Sequence, residues 1–301
     1  MKIAILALFI TFGLFAAEED QDKARTTFSR GWIGAELFFS PIYGSVKMGG
    51  KDPLSAYLKD KKKNIESDFE WNVGYQVGLG VFLPILNWEI LGHYRQFETK
   101  SAMRSLATLK PTTGGGMERD EGKFYEALHL ESCSLELKRS SLLGGYFGIA
   151  SILGLKQLFI QQERNLRIES LSLSQNLDYR GVGPILGADL TIPIIFGLNL
   201  VGNCKAALVL GKLESSSPEP IIREAESTRI LTPNLCFQVG LRQNLSLEVL
   251  QLFFSLCYEA DYYYRKSKLL SVPSLGRSQK KVNVEEDLVF YGIKARIGVD
   301  F

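Results

Sequence analysis

Two histidines, four methionines and four cysteines are a small stock for metal or redox chemistry in 301 residues. A centre of three or more histidines is excluded by count, and four cysteines do not make the dense disulfide framework of a small secreted domain. Charge of one sign is lacking as well. The 35 Lys and Arg face 33 Asp and Glu, a net charge of +2, which excludes a global field for nucleic acid. Long apolar runs are also scarce. A mean hydropathy of +0.02 is too polar for a bundle of membrane helices. The best internal candidate, Leu142 to Leu155, offers only fourteen uncharged residues, four of them Gly, before Lys156.

The one compact apolar run stands at the start. Lys2 supplies a positive charge, Ile3 to Phe15 an apolar stretch, and Ala16-Ala17 small residues ahead of Glu18-Glu19-Asp20. This order predicts a signal peptide over 1–17, with a large Phe15 that blurs the cleavage position. Residues 18–30 then read as a short periplasmic segment, and 31–301 as the folded domain. An exported chain without a spanning helix enters a membrane only through strands.

What is present is alternation. From Trp71 to Leu83, Val73, Tyr75, Val77, Leu79, Val81 and Leu83 interleave with Asn72, Gly74, Gln76, Gly78 and Gly80. The pattern repeats over Gly181 to Ile192, Leu231 to Arg242, and Val289 to Phe301. One face suits lipid and the other is small or polar, which predicts an all-β, antiparallel, up-and-down transmembrane barrel. Strands are expected near 31–40, 68–83, 87–99, 123–138, 142–164, 177–193, 197–213, 229–243, 246–265 and 286–301. Short gaps alternate with long polar ones, as with periplasmic turns and external loops, and both termini fall on the periplasmic side. The count is about ten, with twelve as the alternative if a hairpin lies hidden in 141–180 or 41–67. Trp32, Trp71, Trp88 and Tyr262-Tyr263-Tyr264 fall near strand ends, where an interfacial girdle belongs.

Several stretches resemble the pore-forming major outer-membrane-protein family of chlamydial and Legionella type: Trp71 to Gly78, Gly181 to Asp189, Asn203 to Lys212, and Phe290 to Phe301. The resemblance implies an outer-membrane channel for small solutes or ions. It also implies a terminal Phe read by the barrel-assembly machinery. Phe301, preceded on alternate positions by Val299, Ile297, Ile293 and Tyr291, fits that insertion signal. The chain is shorter than the family's larger members, so a tighter lumen, open or plugged, is expected.

Alternation assigns the lumen-facing polar residues as Glu36, Gln76, Glu89, His93, Arg95, His129, Glu131, Lys156, Asp189, Asn199, Asn203, Lys205, Asn234, Gln238, Arg242, Glu259, Asp261, Lys294 and Arg296. In a wet pore such groups tune ion preference; in a closed one they pair into a plug. His93 and His129 are expected level with one another, near Glu89 and Glu131. No metal site, cofactor or catalytic residue is expected. A surface protease needs paired carboxylates or a His at the external rim, and neither occurs in the pattern. Cys204 and Cys236 point to opposite faces and Cys257 is expected across from Leu231, which leaves no bridge among these three.

The loops add a basic signal. Lys59, Lys61, Lys62 and Lys63 in one, and Lys266, Lys268, Arg277, Lys280 and Lys281 in another, become neighbours when the barrel closes. They predict a rim for lipopolysaccharide phosphates or sulfated glycans. The functional expectation is thus a porin-like channel. The alternative is a narrow plugged barrel, structural or adhesive, acting through basic loops, and a surface protease is a distant third.

Overall fold

The computed structural model describes residues 34–50, 67–83, 88–101, 104–111, 117–143, 147–168, 171–195, 197–216, 226–247, 250–269 and 282–300. The export signal, the 18–30 segment, Trp32, the basic loop residues up to Lys63, Arg277, Lys280, Lys281 and Phe301 lie outside them. Among the described residues twelve strands are formed: β1 (Gly34–Gly50), β2 (Ser67–Asp68), β3 (Asn72–Leu83), β4 (Trp88–Lys100), β5 (Arg104–Pro111), β6 (Met117–Leu143), β7 (Phe147–Ile168), β8 (Leu171–Ile195), β9 (Leu198–Ser216), β10 (Glu226–Ser246), β11 (Gln251–Leu269) and β12 (Val282–Asp300). All but β2 and β5 form an antiparallel barrel of ten strands, each paired with the next along the chain. It closes where β12 pairs with β1, from Glu36 opposite Asp300 to Gly50 opposite Glu286. Closure leaves no unpaired sheet edge in lipid, which is what hydrocarbon demands of a strand structure.

Ten is the barrel count; the two extra strands lie beyond the wall of ten. β2 pairs briefly with β1, and β5 folds back on the start of β6 from Arg104 opposite Phe124 to Pro111 opposite Met117. Several strands run further than their hydropathy suggested. β7 and β8 stay paired as far as Ile168 opposite Leu171. The stretch between 164 and 177, expected as a loop, is therefore a β-ribbon, and segment 141–180 holds no additional barrel strand. β1 likewise continues to Gly50. The physical reason is that polar residues on the outer face mark the end of the hydrocarbon, not the end of backbone pairing.

The outer face is the apolar one through the middle of the wall. Leu37, Val73, Val77, Leu79, Leu135, Leu155, Leu208, Leu210, Phe237, Val239, Leu256, Ile293 and Ile297 are all exposed. So continuous an apolar surface cannot face water, and it has the alternation that lipid contact requires. Tyr43, Trp71 and Tyr291 cluster on the outside at the end of the long connections, with ring centroids 5.1 and 5.5 Å apart. Trp88 stands at the opposite end under the Arg139 guanidinium.

The inner face departs from expectation. It is not lined by glycine and small amides alone. Phe38, Leu91 and Phe253 are buried toward the end of the short turns. A larger group, including Val46, Phe97, Leu130, Ile160, Tyr179, Tyr263 and Phe290, fills the end of the long connections. Glycines are there because rings lie on them. Phe38 faces Gly78 across β1–β3, Phe253 faces Gly298 across β11–β12, and a Cβ at either glycine would overlap the ring.

Gly78→Val is therefore expected to cost about 1–3 kcal/mol through overpacking. Gly92→Val is the control: that site faces outward, and its Cβ would meet nothing closer than 3.9 Å. The measurement is the temperature at which the folded band of detergent-refolded protein is lost on electrophoresis. Gly78→Val lowers it, and Gly92→Val leaves it within error.

Candidate functional site in the barrel lumen

Between the two apolar layers the lumen carries charge. Arg95 on β4 and Glu259 and Asp261 on β11 stand four strand steps apart round the closed wall, close to opposite sides. The Arg95 Nη1 group donates to Glu259 Oε1 and, at 2.6 Å, to Asp261 Oδ2. Lys294 Nζ reaches the second Glu259 oxygen at 2.5 Å and Gln238 Oε1 at 3.1 Å. The guanidinium of Arg95 lies 4.1 Å from the Phe290 ring centroid, and that ring packs edge-on against Phe97 at 4.8 Å. Charge, cation–π contact and aromatic packing thus form one connected chord across the lumen.

Further ties surround this chord. Lys205 on β9 donates to both Glu136 oxygens on β6 at 2.8 and 2.9 Å. Lys138 reaches Asp189 at 3.0 Å, and Asn203 donates to the other Asp189 oxygen. Lys156 on β7 reaches Asn234 Oδ1 on β10 at 2.7 Å. Nearer the short turns, Arg296 pairs with Glu36 and lies 3.5 Å from the Phe38 ring. Arg242 is 3.5 Å from Asp300 and 4.0 Å from the Phe253 ring. At the other end, Glu126 accepts from Arg164 at 2.7 Å and Gln162 at 2.9 Å, while Gln162 also meets Met48 four strands away. A cavity of about 50 Å³ remains beside the Arg95 chord.

Glu36, Gln76, Glu89, His93, Arg95, Lys156, Asp189, Asn199, Asn203, Lys205, Asn234, Gln238, Arg242, Glu259, Asp261, Lys294 and Arg296 occupy inward positions of their strands. His129 and Glu131 do not. They share the outer face with Glu98 and Gln96, their partners across β4–β6, while Leu128, Leu130 and Ser132 are buried inside. The His129 ring sits between Glu98 and Glu131 at 2.8 and 2.7 Å. His93 lies inside, opposite Ser134 and 3.8 Å from Glu136, so the two histidines share neither face nor level.

The cause is a change of medium along β6. In the hydrocarbon zone Leu135 and Leu137 face out while Ser134 and Glu136 face in. Beyond it the outer face is wet and the inner face is core, so Leu128 and Leu130 turn inward without any change of strand phase. Reading every apolar residue as outward therefore misassigns the external third. The same misreading hid Glu126, Glu136, Lys138, Gln162 and Arg164. The Ser132, Ser134, Glu136, Lys138 series, interleaved with Leu135 and Leu137, was the available signal.

The four cysteines are unbridged. Cys133 and Cys204 are exposed on the outer face; Cys236 and Cys257 point inward. Cys257 lies opposite Gly240 and not Leu231, because β10 runs on to Ser246 and pairs there with Gln251, so the connection is longer and falls later in the chain than the expected two-residue gap at 244–245. Cys236, Glu259 and Asp261 bring candidate ligand atoms within 4.8 Å of one another. Both carboxylates already serve Arg95, which makes this an ion-pair junction.

A family model for the Legionella pneumophila major outer membrane protein precursor matches residues 31–301. The chain belongs to that family. Its members' place, the bacterial outer membrane, agrees with the closed barrel and its apolar outer belt. Among solved structures, the outer membrane protease OmpT from Escherichia coli aligns with a TM-score of 0.53 at 9% identity, over 93% of this chain and 100% of that one. The translocator domain of the autotransporter NalP from Neisseria meningitidis aligns at 0.43 and 10% identity, covering 100% and 96%. A major outer membrane protein from Thermus thermophilus aligns at 0.37 and 12%, covering 89% and 98%. No curated protein matches the sequence. At these identities the likeness to OmpT is one of fold.

Glu259→Gln leaves Arg95 and Lys294 buried with a weaker acceptor, and is expected to cost about 3–5 kcal/mol. Glu98→Gln removes one partner of the exposed outer pair and costs at most about 1 kcal/mol. Urea unfolding of the vesicle-inserted protein, followed by tryptophan fluorescence, separates the two: a clear drop in midpoint for the first and a small one for the second.

Proposed function

We propose that this family member is a narrow barrel closed by its own lumen side chains, and that it acts at its external surface. The single observation that carries the reading is the Arg95–Glu259–Asp261 chord, which joins near-opposite walls with Phe290 against the guanidinium and Phe97 edge-on to that ring. Apolar layers on both sides of the chord support it, since a solute path would have to cross them. Ten strands enclose little more room than their own side chains need.

A channel for small solutes or ions, implied by the family resemblance, is the second reading. The 50 Å³ cavity with its charged lining favours it at the scale of water and small ions. No catalytic role is proposed. Both ring nitrogens of His129 face carboxylates, which leaves neither free to activate water.

The proposed external partners are lipopolysaccharide phosphates and sulfated glycans, on Lys59, Lys61, Lys62, Lys63, Arg277, Lys280 and Lys281 of the expected loops and on Lys266 and Lys268, which belong to β11 and not to the expected loop, opposite Glu285 and Asn283. The barrel-assembly machinery is proposed to read the last strand, where Tyr291, Ile293, Ile297 and Val299 share the lipid face ahead of Phe301.

Planar-bilayer recording tests the closed reading. Wild-type protein is expected to give no porin-scale steps, and the Arg95→Ser/Glu259→Ser/Asp261→Ser variant to give discrete ones. Steady ohmic steps from the wild type would sink it in favour of the channel. Charge reversal of Lys61, Lys62 and Lys63 is expected to abolish heparin retention, and unchanged retention removes the glycan partner.

A further inference from the structure

The waist of the lumen does not balance its charges. Four cations line the cavity, Arg95, Lys156, Lys205 and Lys294, against three carboxylates, Glu136, Glu259 and Asp261. His93 is left aside, since a charged imidazole would only raise the excess. Arg95 and Lys294 take up Glu259 and Asp261, and Lys205 takes both oxygens of Glu136. Lys156 is the cation left over: its acceptor is the neutral Asn234 Oδ1 at 2.7 Å, and the Tyr263 ring lies 5.3 Å away. Among the described residues it has no carboxylate within ion-pair distance, yet it is only 8% exposed. An ammonium carries three donors, and a buried charge without a counter-charge destabilises the fold.

A second observation points the same way. Arg95 Nε and Nη2 and His93 Nδ1, on two cavity-lining residues, are buried with no protein partner. These guanidinium nitrogens can only donate. One acceptor is in the same position, Asp261 Oδ1, and it needs no more than a water. The cavity therefore pairs an unneutralised cation with unmet donors, in a space of about 50 Å³. That volume holds roughly three to five water-sized occupants.

We propose that this cavity is a binding site for a small monovalent anion, chloride in physiological media, held by Lys156 with help from the unmet donors and one or two waters. A single negative charge cancels the excess, whereas a sulfate or phosphate dianion would overshoot it. The site lies in the wall-to-wall charged layer, and it stands whether or not the external loops bind anything.

The test uses full-length refolded protein in detergent and needs no conductance. Thermal unfolding is compared in sodium chloride and in sodium gluconate at equal ionic strength, gluconate being too large for the cavity. At a chloride concentration ten times the dissociation constant, the folding equilibrium is expected to shift about elevenfold toward the folded state. Chlorine-35 NMR is expected to show saturable line broadening that is lost in Lys156→Met and kept in Lys212→Gln, an outward cation. Lys156→Met is also expected to be as stable in gluconate as in chloride. Equal wild-type stability in the two salts overturns the proposal without reliance on any variant. So does broadening unchanged in Lys156→Met, which would mark an adventitious surface ion only.

Discussion

Everything in this molecule depends on a closed ring of ten strands having to fill its own inside. Backbone pairing settles the wall, and lipid settles its outer face, but neither determines what occupies the axis. Here the axis is filled in layers. Phe38, Leu91 and Phe253 make a floor, the Arg95 chord and its neighbouring ion pairs make a charged middle, and the Phe97–Phe290 group makes a ceiling. Guanidinium groups join the layers, since Arg95, Arg242 and Arg296 each lie over a ring while bonding a carboxylate or amide. Their flat, weakly hydrated heads suit that double duty better than an ammonium would.

This layering affects what the barrel can do. A charged layer between two dry ones is desolvated, so each pair is strong only while its partner is present, and the network is rigid as a unit. Rigidity of that kind holds the external ends of β5 to β8 in a fixed arrangement above the membrane. On the closed reading proposed above, the wall would serve as a pedestal, a role with which the long paired extensions of β6, β7 and β8 agree.

Much of this was legible in the residues. Gly74 to Val81, Gly181 to Leu190 and Tyr291 to Val299 fix both the strand phase and the lipid face, because hydrocarbon tolerates no polar interruption on that side. The family resemblance in those stretches agrees with the matched family. What escaped were features decided by tertiary context. The length of the β7–β8 ribbon depends on cross-strand partners and not on hydropathy. The faces of His129 and Glu131 follow from where the membrane stops. The apolar layers inside depend on lumen width, and the pairing of Arg95 with residues far along the chain depends on barrel closure. Apart from the Ser132 to Lys138 series, which carries the phase of β6, none of these leaves a local trace in the sequence.

The switch along β6 has a consequence for how such a sequence tolerates change. A one-residue deletion within the strand would move every side chain to the opposite side of the sheet. In an ordinary membrane strand that error is felt only in the bilayer. Here Glu136 and Lys138 would be forced into acyl chains while, a few residues away, Leu128 and Leu130 were pushed into water. The frame of this strand is thus policed by two solvents at once, and length variation in the lineage should be confined to the tips of its hairpins.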